Sequence, residues 1–376
     1  MIKLLIVDDS PLMRRLLTDI FTAAGDFTIE VARTADEALV RLTEFAPDVV
    51  TLDIHMPGMD GLACLDRIML LRPCPVVMVS SLTAEGADET LEAMALGAVD
   101  FVAKPHGAIS LEIDKLAPAL VEKVRGAAGA RISRAARLTE RLRARTGAAP
   151  PTVRRTRTLT PPPASTTPST QKRRVSPQKA IGPATAPGLV LVGCSTGGPP
   201  ALDELLGNLP EDFPWPIIVA QHMPASFTGA MARRLDKLCA LTVTEVSAPR
   251  PLEPGHVYIG RGDADVVVSR RGTTPVAMAT PSSPDYHWHP SVDRLVASAL
   301  ALLAPDCLIG VLMTGMGADG ARMMAELHVK GGRTIAEAAE TAVVWGMPGA
   351  LVAAGGAGDV LPLARIASAL LALVQR

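Results

Sequence analysis

Short apolar runs of β type recur along residues 1–125: "IKLLIVDD", "FTIEVAR", "PDVVTLD", "CPVVMVSS" and "AVDFVAK". Amphipathic segments such as "PLMRRLLTDIFTAAG" fill the gaps between them. Alternation at this pitch predicts parallel strands joined by crossover helices in a doubly wound, flavodoxin-like sheet. The alternation resumes over 188–376 with "GLVLVG", "PIIVAQH", "CLIGVLM" and "GRTIAE". A β-richer middle, "HVYIGRGDADVVVS", reads as a hairpin insertion in a second parallel-sheet α/β domain. Between the two lies a stretch over 146–187 that is rich in Pro, Thr and Ser, dotted with Arg and Lys, and free of Asp and Glu. It cannot bury enough apolar surface to fold, so it predicts an extended, flexible tether. The expected organisation is a first domain at 1–125, a basic linker at 126–187 with a short exposed helix over 131–145, and a second domain at 188–376.

A chain of 376 residues exceeds one average core, which agrees with that division. Its formal charge of −1 gives no drive toward nucleic acid or an anionic membrane surface. Five cysteines lie far apart with no CxxC pair, which argues against a disulfide framework or zinc cluster and fits a reducing compartment. No secretory h-region precedes "KLLIVDDS" and no apolar run is long enough to span a bilayer, so the expected location is cytoplasmic and not membrane-inserted.

In the first domain, Asp8 and Asp9 end the first strand and Asp53 the third. Strand carboxyl ends gather at one edge of a parallel sheet, so three carboxylates converge there. They repel one another unless a cation sits among them, and oxygen ligands suit Mg²⁺. Ser80 and Lys104 end the fourth and fifth strands and add a hydroxyl and a positive charge to the same rim. Five such residues on four strand ends are more than isolated helix caps. On these residues the segment resembles a response-regulator receiver domain. The resemblance implies that Asp53 accepts a phosphoryl group and that Asp8, Asp9, Asp53 and the His55 backbone carbonyl hold Mg²⁺. It also implies that Ser80 and Phe101 form a switch pair and that Lys104 contacts the phosphoryl group.

The second domain opens with "VGCSTGGPP", a strand-to-helix turn that carries Ser195. A phosphate-binding reading is weak, because no Lys follows the glycines and Gly193, Gly197 and Gly198 miss the dinucleotide spacing. A nucleophile reading needs a base and an orienting group on other strand ends. "PIIVAQHMP" supplies His222, and "CLIGVLMTGMGADGA" supplies Asp319. Cys194, beside the serine, points to the opposite face of the strand and reads as a small buried residue. His287 and His289 in "YHWHP" stand at i, i+2 without a third ligand and read as a helix-approach loop. Met223, Met313, Met316 and Met347 are either groove-lining or core-filling.

"STGG", "QHMP" and "LMTGMGADGA", extended by "HPSVDRL" and "VVWGMPGA", resemble the chemotaxis protein-glutamate methylesterases of the CheB family. A receiver, a linker and this domain are that family's arrangement. The resemblance implies Ser195 as nucleophile, His222 as general base and Asp319 as the residue orienting it. Thr196 and Met316 support the site, and the Met316 backbone N–H is the expected oxyanion donor. It also implies hydrolysis of glutamate γ-methyl esters on chemoreceptors without a metal, with glutamine deamidation through the same acyl intermediate. The implied partners are chemoreceptors and a chemotaxis histidine kinase as phosphodonor. The tether keeps the receiver at high effective concentration, and the expectation is that it inhibits the esterase until phosphorylated. Two rival readings are a phosphorylation-dependent binding module and a DNA-binding regulator. The intact set of Ser195, His222 and Asp319 argues against the first, and the want of a helix-turn-helix pattern against the second.

Overall fold

The computed structural model describes residues 1–80, 83–104, 109–131 and 188–375. Near the amino terminus, five strands form a parallel sheet: β1 (Ile2–Val7), β2 (Phe27–Ala32), β3 (Val49–Asp53), β4 (Val76–Ser80) and β5 (Asp100–Ala103). Their order, β2-β1-β3-β4-β5, is the doubly wound one expected. Helices α1 (Pro11–Ala24), α2 (Ala35–Glu44), α3 (Gly61–Leu71), α4 (Ala84–Leu96) and α5 (Ile109–Ala128) connect and flank the strands. Local chemistry sets the helix starts. Ser10, Thr34, Asp60 and Thr83 each accept a backbone N–H at an amino end, satisfying a donor that the helix leaves free. β3 and β4 are buried along their whole length, as a sheet covered on both faces requires.

α5 runs past residue 125, and Arg131 beyond it donates its N–H to Val343 O (3.0 Å). The expected helix over 131–145 and the tether after it lie outside the described residues, Arg131 apart.

The second sheet has seven strands in the order β15-β14-β13-β6-β7-β10-β8. They are β6 (Leu189–Cys194), β7 (Ile217–Gln221), β8 (Thr242–Val246), β10 (His256–Gly260), β13 (Leu308–Leu312), β14 (Arg333–Glu337) and β15 (Asp359–Leu361). Every pairing in it is parallel. Helices α6 (Gly198–Gly207), α7 (Ala225–Leu238), α8 (Val292–Leu300), α9 (Ala321–Val329), α10 (Met347–Ala353) and α11 (Leu363–Val374) flank it. A separate antiparallel sheet joins β9 (Arg250–Pro251), β11 (Ala264–Arg271) and β12 (Thr274–Pro281). The hairpin reading of "HVYIGRGDADVVVS" therefore holds only in its second half. "HVYIG" is β10, a parallel strand between β7 and β8, and only "ADVVVS" enters the hairpin β11–β12.

From β6 the chain moves to β7 and out to β8 at the edge, inserts β10 between those two, then returns to build β13, β14 and β15 on the other side. The crevice between β6 and β13 at their carboxyl ends is thus the topological switch point, where open α/β sheets bind ligands. Both sheets belong to one compact unit. α4 packs against α6 and α7. Among the described residues, no helix is long and apolar enough to cross a membrane.

Candidate active site

Asp8, Asp9 and Asp53 meet at the carboxyl edge of the first sheet, each offering an oxygen within 4.8 Å of the others. Asp8 Oδ2 and Asp53 Oδ2 are buried in this cluster. Lys104 Nζ approaches them as an ion-pair partner, 2.7 Å from Asp53 Oδ2 and 3.5 Å from Asp8 Oδ2. Burial pushes the Asp8 carboxyl up, Lys104 pulls it down and the Asp53 charge raises it. Three carboxylates held this close, with one ammonium against two of them, fit a divalent cation of Mg²⁺ type. The His55 N–H donates to Asp53 Oδ1 (3.2 Å), while its imidazole turns toward Glu89. Ser80 is buried at the end of β4.

The serine turn sits at the switch point of the second sheet. β6 and β7 pair in the register Cys194↔Gln221, and the His222 N–H donates to Cys194 O (3.1 Å). Ser195 and His222 therefore leave adjacent strands side by side. The Ser195 N–H donates to Thr314 O (3.0 Å), which ties the turn to the end of β13. Gly197 has φ +76°, and a Cβ there would lie 2.7 Å from Val343 Cβ. Only glycine fits this left-handed corner. Ser195 itself is half-buried. Cys194 is fully buried with its thiol against Gln221 Oε1 (3.1 Å), and burial pushes that thiol far above its usual range.

His222 is buried, and its Nε2 lies 2.8 Å from Asp319 Oδ2. An imidazole paired with a carboxylate in this way carries its proton on Nε2 and keeps the Nδ1 lone pair. Nδ1 is buried and has no partner among the described residues. Asp319 also accepts from Val292 N (2.7 Å), Asp293 N (3.0 Å) and Ser291 Oγ (3.0 Å), so it caps the amino end of α8. Burial alone would raise its carboxyl, but His222 and the backbone donors hold it below the usual range. The Trp288 indole stacks on His222, with centroids 5.7 Å apart and planes 15° apart. Asp285, Tyr286, His287, Trp288, Asp293, Ala318 and Asp319 line a cleft of about 310 Å³ beside it.

His287 and His289 take separate carboxylates. His289 Nδ1 is 2.9 Å from Asp265 Oδ1, and His287 Nε2 is 3.7 Å from Glu122 Oε2. Met223, Met313 and Met347 are core residues, whereas Met316 is half-buried and its side chain sits against α5 in the space that a Cβ on Gly126 would take.

Several residues at this site escaped sequence reasoning. The Thr196 hydroxyl donates to Asp100 Oδ2 (2.5 Å) at the start of β5, and the Gly197 N–H donates to Val99 O (3.1 Å). Lys123 on α5 holds Asp100 Oδ1 (2.8 Å), and the Phe101 ring lies 4.4 Å from that of Phe227 on α7. Buried Glu337 accepts from Thr314 N (2.8 Å), and the Thr314 hydroxyl donates to Thr196 O (2.8 Å). No local pattern announces these partners. Only Ser291 had a signal, as the serine before an apolar helical run in "HPSVDRL".

Residues 190–370 match the CheB methylesterase family, and residues 4–113 match the response regulator receiver domain family. The protein-glutamate methylesterase/protein-glutamine glutaminase 2 of Rhodopseudomonas palustris (strain BisB18) is 56% identical over 371 residues, covering 99% of this chain and 98% of that one. The corresponding protein 3 of Rhodospirillum rubrum is 54% identical over 376 residues, covering 100% and 97%. The crystal structure of the Thermotoga maritima CheB methylesterase catalytic domain is 38% identical with a TM-score of 0.48, covering 50% of this chain and 98% of that one.

Proposed function

Because this chain belongs to the CheB methylesterase family and carries a receiver domain ahead of the catalytic one, we propose that it hydrolyses glutamate γ-methyl esters on chemoreceptors under the control of receiver phosphorylation. The observation that carries the reading is the register Cys194↔Gln221, which sets Ser195 beside a histidine whose buried Nδ1 has no partner among the described residues. Ser195 Oγ attacks the ester carbonyl while His222 Nδ1 takes its proton. Asp319 stabilises the resulting imidazolium through Nε2. The Met316 N–H is the proposed donor to the oxyanion, with Thr196 and Thr314 fixing the turn opposite it. His222 then returns the proton to the departing methoxide, and methanol leaves an acyl-enzyme. Water gives a proton to the same nitrogen, attacks the acyl carbon and frees the glutamate and Ser195. A glutamine amide reaches the same acyl-enzyme by losing ammonia, which accords with the second activity in the relatives' names.

In the receiver, Asp53 is the proposed phosphoacceptor, with a chemotaxis histidine kinase as donor. Asp8, Asp9, Asp53 and the His55 carbonyl would hold Mg²⁺, which when bound neutralises charge on the transferring phosphoryl group. Lys104 adds its charge on the same side.

The test is methanol release from methylated receptor membranes by the purified protein. Ser195→Ala loses roughly 10³-fold or more in rate, while Cys194→Ala keeps most activity. The reverse ranking overturns the assignment.

A further inference from the structure

One buried carboxylate behind the site has no part in that mechanism. Asp265 stands near the start of β11 in the hairpin sheet, and its side chain is wholly buried. Burying a carboxylate is costly unless donors surround it. Here they do. Oδ1 accepts from Ser291 N (2.7 Å) and lies 2.9 Å from His289 Nδ1. Oδ2 accepts from Arg294 Nη1 (2.5 Å) and Ser283 N (3.4 Å). Three of the four partners belong to the segment 289–294, which carries the amino end of α8.

That amino end is also where Asp319 is held. Ser291 is the cap of α8: its hydroxyl accepts from Arg294 N (3.3 Å) and donates to Asp319 Oδ1 (3.0 Å). Its neighbours Val292 and Asp293 give their N–H groups to the same carboxylate. Asp319 thus sits in a socket whose wall is Ser291, and Asp265 is the anchor of that wall.

We propose that Asp265 is a positioning residue for the catalytic carboxylate: it fixes Ser291, and through Ser291 and the amino end of α8 it sets the angle at which Asp319 meets His222. The proposal rests on the reading of Ser195, His222 and Asp319 as the catalytic set. A small rotation of Asp319 carries the imidazole with it, and misplacement of a base by a fraction of an ångström slows proton transfer without weakening substrate binding.

The experiment is a double-mutant cycle in the full-length protein, reading kcat and KM for methanol release from methylated receptor membranes in the presence of a small phosphodonor. Asp265→Asn lowers kcat by about 10- to 100-fold, the range seen when outer partners of site residues are removed, and leaves KM within about twofold. In an Asp319→Ala background the same change costs less than about twofold, because the group it positions has gone. Ser291→Ala breaks the link without touching the buried ion pair and reproduces the kcat loss. Ser291→Thr keeps the hydroxyl and restores most of it; if Asp265→Asn does not fold, Arg294→Gln, which withdraws a side-chain donor from Asp265, takes its place in the cycle with the same expected loss. The proposal is overturned if Asp265→Asn leaves kcat within twofold, if its cost is undiminished in the Asp319→Ala background, or if Ser291→Ala turns over like wild type. The catalytic reading fails separately, and is recognised as such, if Asp319→Ala alone retains more than about a tenth of the activity.

Discussion

At Asp319, burial and hydrogen bonding pull the carboxyl in opposite directions, and the donors prevail. Burial would raise it; His222 and the N–H groups of Val292 and Asp293 hold it below the usual range. A carboxyl whose folded pKa lies under its unfolded value, about 3.9, stabilises the protein above that value. The contribution is lost as pH falls through the folded value. Wild type is therefore expected to exceed Asp319→Asn in stability at neutral pH by about 1–2 kcal/mol, the scale of a partly buried charge at a helix amino end. The gap closes as the pH drops below about 4. Thermal melts of both proteins across that range check it, and a gap independent of pH contradicts the charge argument. Ser195, His222 and Asp319 were legible in the sequence because each follows an apolar strand, two of them beside glycines. Asp100 and Asp265 were not. Asp100 lies 96 positions from Thr196, and Asp265 lies 26 from Ser291, and no periodicity links such pairs.

Among elements, the turn between β6 and α6 has little room to vary. Gly197 combines a left-handed φ with a Val343 side chain on the side where a Cβ would go, and that valine is backbone-bonded to Arg131. Gly197→Ala is expected to cost about 1–2 kcal/mol from the backbone alone and more from the contact. The turn then shifts, so esterase activity falls with the melting temperature, whereas Gly355→Ala, left-handed but with open space around it, lowers the melting temperature only. Equal activity losses at both positions count against a role for the turn's shape. The alternation of apolar runs and amphipathic segments foretold both parallel sheets, because strands covered on two faces are apolar throughout. It misread "HVYIG" because a short buried strand in a parallel sheet and one arm of a hairpin have the same composition. What separates them is the partner strand. β10 pairs with β7 and β8, and α7 packs against both β8 and β10.

Across the whole molecule, the receiver touches the esterase domain at the turn that holds Ser195. Asp100 takes the Thr196 hydroxyl, the Val99 carbonyl takes the Gly197 N–H, and Gly126 leaves the space that Met316 fills. Phe101, the expected switch residue, is spent in the same interface, buried against Phe227. Lys123 ties the contact together, since it bonds Asp100 and the Phe101 carbonyl at once. A phosphoryl group on Asp53 would draw on Ser80 and Lys104 at the far end of β4 and β5, and any movement of Phe101 toward Ser80 takes its ring from Phe227. Phosphorylation can loosen the interface only by the difference in contact energy between the two receiver states. Removing one charged hydrogen bond should therefore supply part of the same effect. Asp100→Ala forfeits about 1.5–3 kcal/mol of interface if the bond holds it closed. Basal methanol release should then rise by about tenfold or more without a phosphodonor, and the further increase on adding one should shrink by a like factor. Asp53→Asn, by contrast, keeps the low basal rate and loses the response altogether. If Asp100→Ala leaves both the basal rate and the stimulation ratio at wild-type values, this contact does not restrain the enzyme. Control would then lie in recruitment to the receptor, where a receiver acts through what it binds and the grip on Thr196 has no regulatory weight.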